Sequence, residues 1–115
     1  MRTGASAPKV DLIVDKECPN IEAARSLITR ALSAVGLPLE WREWRRDATD
    51  TPPGLRGFGS PTILVDGVDV TGATGEAKGQ EHANSCRLYN DAGVLRGVPP
   101  LDLIEGALAQ SISRT

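Results

Sequence analysis

The chain has 115 residues, a length usual for one domain, and its 13 basic and 15 acidic residues leave a net charge of −2. This charge gives no general attraction to nucleic acid or to an anionic membrane, so we expect a small-molecule or protein partner. No apolar segment has the length of a signal peptide core or a membrane span, and two cysteines are too few for the disulfide framework of a small secreted domain. These features predict a cytoplasmic protein with a single domain over residues 1–115, of which 1–8 form a flexible N-terminus.

The first half of the chain predicts a strand, a helix and a second strand. The run "KVDLIVD" (9–15) is apolar and branched, which is typical of a buried strand. After it, apolar residues recur at helical spacing from Ile21 to Val35, and Gly36 and Pro38 predict the end of the helix. Pro19 suits the first helical position, which makes Cys18 the expected N-cap. "LEWREWR" (39–45) predicts a strand parallel to the first, with Trp41 and Trp44 on opposite faces.

The second half predicts a short helix, a hairpin, a long connection and a last helix. Thr51 and Pro52 can start one short helical turn. Two branched runs, 62–65 and 68–70, flank Asp66-Gly67, which is typical of an antiparallel hairpin. The stretch from 71 to 99 is glycine-rich and polar, and predicts a long loop in which only "CRLY" and "GVL" offer short extended pieces. Beyond it, apolar residues at helical spacing predict an amphipathic helix: Leu101, Ile104, Leu108 and Ile112.

This order of elements resembles the thioredoxin fold, and two short motifs strengthen the likeness. "CPN" (18–20) directly follows the first strand, like the active-site segment of that family, and "SPT" (60–62) resembles its cis-proline loop. Together with "GSPTILVDG", "SCRLY" and "GVPP", they resemble small bacterial thioredoxin-like proteins with a degenerate Cys-Pro-x-x motif, some associated with mercury detoxification. The resemblance implies an α/β three-layer sandwich, with a central four-stranded mixed sheet flanked by helices, a shortened second helix and a long loop before the last helix.

The resemblance also implies a reactive thiol at Cys18. A helix N-terminus favours the thiolate, which is the nucleophilic form, and the amides of Asn20 and Ile21 can point at the sulfur. Pro19 and Asn20, together with Ser60, Pro61 and Thr62, would then form the substrate groove, with a cis Ser60–Pro61 bond and the Ser60 backbone free to pair with a bound peptide or thiol. Dithiol members of the family carry a second cysteine three residues after the first, a position occupied here by Ile21.

Four functions remain open at this stage. Cys86 can act as a distant resolving thiol for Cys18, which makes the chain a thiol–disulfide oxidoreductase; alternatively, glutathione resolves the mixed disulfide as a cosubstrate. Cys18 and Cys86 can instead bind a soft metal ion such as mercury, copper or zinc, with His82 as a less favoured third ligand. The chain can also be a non-redox interaction module. No resident cofactor is expected.

Overall fold

The computed structural model of the chain describes residues 7–72 and 87–113. The described residues form a mixed α/β structure with two α-helices, a four-stranded mixed sheet and a separate two-stranded hairpin. The elements in chain order are β1 (Val10–Val14), α1 (Ile21–Ala34), β2 (Arg42–Arg45), a 3-10 helix (Pro53–Leu55), β3 (Thr62–Val65), β4 (Val68–Asp69), β5 (Tyr89–Asp91), β6 (Val94–Arg96) and α2 (Leu101–Ser113).

The large sheet has the strand order β2-β1-β3-β4. β1 and β2 are parallel and are joined through α1, as the short strand, helix, strand sequence predicted. β3 pairs antiparallel with both β1 and β4. Asp66 and Gly67, both with positive φ (54° and 83°), form the turn between β3 and β4, which confirms the predicted hairpin. The C-terminal end of β1 and the start of β3 therefore lie side by side.

The core lies on both faces of the sheet. On one face, alternate residues of β1 and β3 pack against the two helices. The buried residues there are Val10, Leu12, Val14, Ala24, Ile28, Ala31, Leu32, Ile63, Val65, Ile104 and Leu108. On the other face, Ile13, Leu64 and Phe58 pack with Leu55 of the 3-10 helix. Both α-helices thus cover one face, and the shortened helix belongs to the segment that covers the other.

The two tryptophans confirm the predicted alternation along the second strand. Trp41 packs against the core under the helices, whereas Trp44 packs against the core on the opposite face. Trp44 Nε1 also donates a hydrogen bond of 2.8 Å to the carboxylate of Asp11, a buried residue of β1. This hydrogen bond gives a partner to the buried carboxylate of Asp11, which lies within the apolar run 9–15.

Three local expectations are wrong. α1 begins at Ile21 with Asn20 as its N-cap, so Cys18 is not the N-cap and Pro19 is not the first helical residue. The first bond of the helix runs from the Ala24 amide to the Asn20 carbonyl, because a separate turn precedes it.

The other two differences lie near the C-terminal end. Residues 89–96 of the expected loop overlap the extended pieces "CRLY" and "GVL", but they pair as a hairpin, β5-β6, turned by Ala92 and Gly93 with positive φ. In α2, Ser111 is buried and its hydroxyl bonds to the Asp66 carboxylate, while Ile112 is 39% exposed. The expected flexible N-terminus falls mostly on residues 1–6, which lie outside the described ranges.

Within residues 7–72 and 87–113, neither helix is long and apolar enough to cross a membrane.

We expect Leu12→Ala to lower the free energy of unfolding by about 2–5 kcal/mol, because it removes buried methyl groups and leaves a cavity under the helices. Leu39→Ala is the matched control, since Leu39 is 54% exposed whereas Leu12 is fully buried. Its effect should stay within about 0.5 kcal/mol. Urea unfolding followed by circular dichroism measures both, and equal losses in the two variants would contradict this description of the core.

Candidate thiol site

Cys18 lies in a turn between the end of β1 and the start of α1. Its backbone amide donates to the carbonyl of Asp15 at 3.0 Å, which closes the turn. Its sulfur accepts the backbone amide of Asn20 at 3.4 Å. The side chain is 7% exposed. The sulfur therefore has a backbone donor at the entrance of α1, although the residue does not cap the helix.

Asp15 connects this turn to the loop before β3. The Asp15 amide donates to the Ser60 hydroxyl at 2.9 Å, across 45 positions of sequence. The Ser60–Pro61 peptide bond is cis, as the resemblance implied. Ser60, Pro61 and Thr62 are all buried. The structure thus brings the two predicted motifs, "CPN" and "SPT", to the same edge of the sheet.

The carboxylate of Asp15 is bound by Arg46, which follows β2. The two oxygens of Asp15 accept from Arg46 Nη1 at 3.0 and 3.1 Å, and the guanidinium also donates to the carbonyl of Arg56. Burial raises the pKa of Asp15 above its ordinary value, and the ion pair with Arg46 acts in the opposite direction. Arg46 therefore holds the Cys18 turn against the loop that carries the 3-10 helix.

Two backbone carbonyls of the Ser60 loop already accept hydrogen bonds from within the chain. The Ser60 carbonyl accepts the backbone amide of Arg87 at 2.8 Å. The Pro61 carbonyl accepts the hydroxyl of Tyr89. The hydroxyl of Thr62 donates to Gly59 at 2.8 Å and accepts from Arg87 at 2.9 Å. The segment from Arg87 to Tyr89 therefore lies against the Ser60 loop, where the sequence predicts the substrate groove.

A buried ion pair holds this segment in place. The side chain of Asp69, at the end of β4, has no exposed surface, and its carboxylate pairs with the guanidinium of Arg87, which is 19% exposed. Asp69 also accepts the amide and the hydroxyl of Thr71, each at 2.9 Å. The guanidinium carbon of Arg87 lies 4.5 Å from the centre of the Tyr89 ring, within the range of a cation–π contact. One arginine thus joins the end of β4 to β5.

Tyr89 is the buried aromatic residue of this network. It is 4% exposed, and burial is the main cause that raises its pKa above the ordinary value. The charge of Arg87 acts against this rise, whereas that of Asp69 adds to it.

The segment after β6 also meets the Cys18 turn. A Cβ atom at Gly97 would overlap the side-chain amide of Asn20. A glycine at this position allows the backbone to lie directly against the Asn20 side chain. The backbone amide of the same residue donates to the Cys18 sulfur. The hairpin β5-β6 therefore contacts both motifs, through Tyr89 at its first position and Gly97 directly after its end.

Cys86 and His82, predicted as a resolving thiol and a third metal ligand, lie outside the described residues. Within 7–72 and 87–113, no group of three or more His, Cys, Asp or Glu side chains is arranged to hold a metal ion. The roles of Cys86 with thiols and with metals stay predictions.

Comparison with known proteins gives one partial likeness. The chain is 33% identical over 107 residues to an N-acetylmuramic acid 6-phosphate etherase of Symbiobacterium thermophilum. The match covers 88% of this chain but only 35% of the etherase, so the chain spans about a third of the length of that relative. No family model and no solved structure matches the chain.

The sequence analysis missed three residues of the site: Asp69, Arg87 and Tyr89. The motif "SCRLY" pointed to the second and third of them, but only as part of a resemblance. The signal for Asp69 was an acidic residue inside the branched run 68–70 of a predicted strand. A buried charge at such a position requires a partner, and a search for that partner would have led to an arginine.

We expect Arg87→Met to lower the free energy of unfolding by about 3–5 kcal/mol, because the buried carboxylate of Asp69 loses its counterion. Arg96→Met is the matched control, since Arg96 pairs with Asp91 at the exposed side of the hairpin, and it should cost about 0–1 kcal/mol. The double variant Asp69→Asn/Arg87→Met should recover part of the loss. Chemical unfolding measures all three, and equal effects of the two single variants would show that Asp69 does not depend on Arg87.

Tyr89 should make stability depend on alkaline pH. Its pKa is raised in the folded chain, so its contribution is fully present below the ordinary tyrosine pKa of about 10 and is lost as pH rises above that value. Tyr89 is the single tyrosine of the sequence, so tyrosinate absorbance reports its ionisation alone. We expect ionisation to be delayed in the native protein relative to the protein in denaturant.

Tyr89→Phe isolates this contribution, because every other ionisable group is the same in the two proteins. The unfolding free energy of the unsubstituted chain should fall more steeply than that of the variant above pH of about 10. Parallel pH curves, or a native tyrosine that ionises as it does in denaturant, would contradict the burial of the phenol.

Proposed function

We propose that this chain is a thioredoxin-like thiol protein that carries out thiol–disulfide exchange at Cys18. The observation that carries the proposal is the placement of Cys18 directly after β1, with its sulfur accepting the Asn20 amide and its turn tied through Asp15 to Ser60. The four-stranded mixed sheet and the shortened helix on the face opposite α1 and α2 agree with the architecture that the resemblance implies.

In the proposed reaction, the thiolate of Cys18 attacks one sulfur of a disulfide. A new S–S bond forms between Cys18 and that sulfur, the old S–S bond breaks, and the other sulfur leaves as a thiolate that takes a proton from water. The backbone amide of Asn20 donates to the Cys18 sulfur at 3.4 Å and holds it at the entrance of α1.

The mixed disulfide then needs a second thiol to resolve it. Ile21 stands where a neighbouring cysteine would be, and it starts α1 with its side chain packed against the core. The resolving thiol in the proposal is therefore Cys86 or glutathione. Cys86 is the second cysteine of the sequence and lies outside the described residues, so both resolving thiols stay open.

The other hypotheses from the sequence are distinguished from thiol exchange by the experiment described below. A soft metal ion held between Cys18 and Cys86 and a non-redox interaction module are compatible with the same backbone. A cytoplasmic location, also an expectation from the sequence, suits free thiols because that compartment keeps them reduced.

Intact mass after mild oxidation tests the proposal. In the unsubstituted chain we expect loss of two hydrogens, which signifies a Cys18–Cys86 disulfide, or one glutathione adduct when glutathione disulfide is present. Cys18→Ser should abolish both products at once. Cys86→Ser should abolish the internal disulfide but keep the adduct, since the attacking thiol remains.

Three results would count against thiol exchange at Cys18. An adduct that persists in Cys18→Ser would move the reactive thiol to Cys86. Absence of any modification under conditions that modify a cysteine-containing peptide would favour the interaction module. A stoichiometric mercury or copper(I) adduct that resists competing glutathione, without disulfide exchange, would favour the metal-binding hypothesis.

A further inference from the structure

The Ser60 loop beside the Cys18 turn is already in contact with Arg87 and Tyr89 of the same chain. These contacts bear on the class of substrate. An extended peptide that docks beside a cis-proline loop must pair with backbone groups there, as in strand addition to a sheet edge. Here the Ser60 carbonyl is bonded to the Arg87 amide and the Pro61 carbonyl to the Tyr89 hydroxyl. A polypeptide substrate would have to displace both donors.

The displaced segment would not move freely. Arg87 is held by the buried carboxylate of Asp69 and by the hydroxyl of Thr62, and its guanidinium stacks on Tyr89. At the other end of the hairpin, Gly97 lies against Asn20. Removing the segment from the groove would therefore expose a buried carboxylate as well as two backbone acceptors, and each has a desolvation cost.

We infer that Cys18 exchanges with low-molecular-weight thiols and disulfides and discriminates against extended polypeptides, with Arg87 and Tyr89 as the specificity-determining residues. This inference rests on the proposed function. A small disulfide needs only a sulfur within reach of the Cys18 thiolate, so it forms the mixed disulfide without pairing to the Ser60 loop. Cys18 is 7% exposed, so most of its surface is covered by the rest of the chain.

Two chromogenic probes with the same leaving group test the inference. Both are mixed disulfides of 2-nitro-5-thiobenzoate, one with 2-mercaptoethanol and one with an unstructured peptide that carries a single central cysteine. Attack by Cys18 joins its sulfur to the mercaptoethanol or peptide sulfur and releases the coloured thiolate. The protein is the full chain with Cys86→Ser, so that Cys18 is its only cysteine and the first step alone is measured.

The quantity compared is the ratio of the two second-order rate constants, small probe over peptide probe, divided by the same ratio for a free cysteine-containing peptide. We expect this normalised ratio to be about tenfold or more, since tenfold corresponds to about 1.4 kcal/mol, the scale of the hydrogen bonds that a polypeptide must displace. A ratio equal to that of the free peptide, with fast reaction of both probes, overturns the inference and leaves the proposed function standing. No reaction with the small probe overturns both.

Tyr89→Phe assigns the discrimination to the groove. It removes the hydroxyl that occupies the Pro61 carbonyl and keeps a ring for Arg87 to stack on. The normalised ratio should fall about threefold to tenfold through a faster peptide reaction, the range for one hydrogen bond. Leu95→Ala, on the exposed side of β6, is the control and should leave the ratio unchanged. An unchanged ratio in Tyr89→Phe, or an equal fall in Leu95→Ala, contradicts the role of Tyr89.

Discussion

The ion pair between Asp69 and Arg87 is the interaction on which the arrangement around Cys18 depends. A carboxylate with no exposed surface is stable only when a counterion and hydrogen bonds replace its water, and Arg87 supplies the counterion from 18 positions along the chain. Because the pair fixes Arg87 at the end of β4, the Arg87 amide reaches the Ser60 carbonyl and Tyr89 reaches Pro61. The hairpin β5-β6 begins at Tyr89, two residues after Arg87.

The thiol itself depends on a second set of contacts at the end of β1. Asp15 receives the Cys18 amide on its carbonyl, donates its own amide to Ser60 and binds Arg46 through its carboxylate. One residue thus joins the Cys18 turn to the loop before β3 and to the segment after β2. The sulfur is positioned by backbone groups of neighbouring turns, which are stiffer than side chains and set its place without a second cysteine.

Ile21 stands where the thioredoxin-like resemblance would place a second cysteine, and it matters for folding as well as for the proposed chemistry. Ile21 begins α1 and packs with the core under the helices, so this position contributes to stability. In the proposed exchange, the resolving thiol comes from elsewhere in the chain or from solution. The contacts of Arg87 and Tyr89 with the Ser60 loop are the reason for which we infer a small disulfide as the substrate.

Local patterns in the sequence determined most of the architecture. The apolar run of β1, the helical period of α1 and the Asp66-Gly67 turn each depend on residues a few positions apart, and all three were predicted correctly. The entrance of α1 was not, since the bond from Cys18 to Asp15 forms a turn that Pro19 alone does not reveal. Propensities describe single residues, whereas this boundary depends on which backbone groups pair first.

Only the tertiary structure decided what surrounds the thiol. The hydrogen bond between Asp15 and Ser60 spans 45 positions, that between Tyr89 and Pro61 spans 28, and the Asp69 ion pair spans 18. No periodicity connects residues so far apart. The sequence by itself determined the elements and the presence of Cys18 after a strand, because those depend on neighbours. The contacts of Arg87 and Tyr89 with the Ser60 loop depend on the buried carboxylate of Asp69. Its counterion, Arg87, lies close to it only in the folded chain.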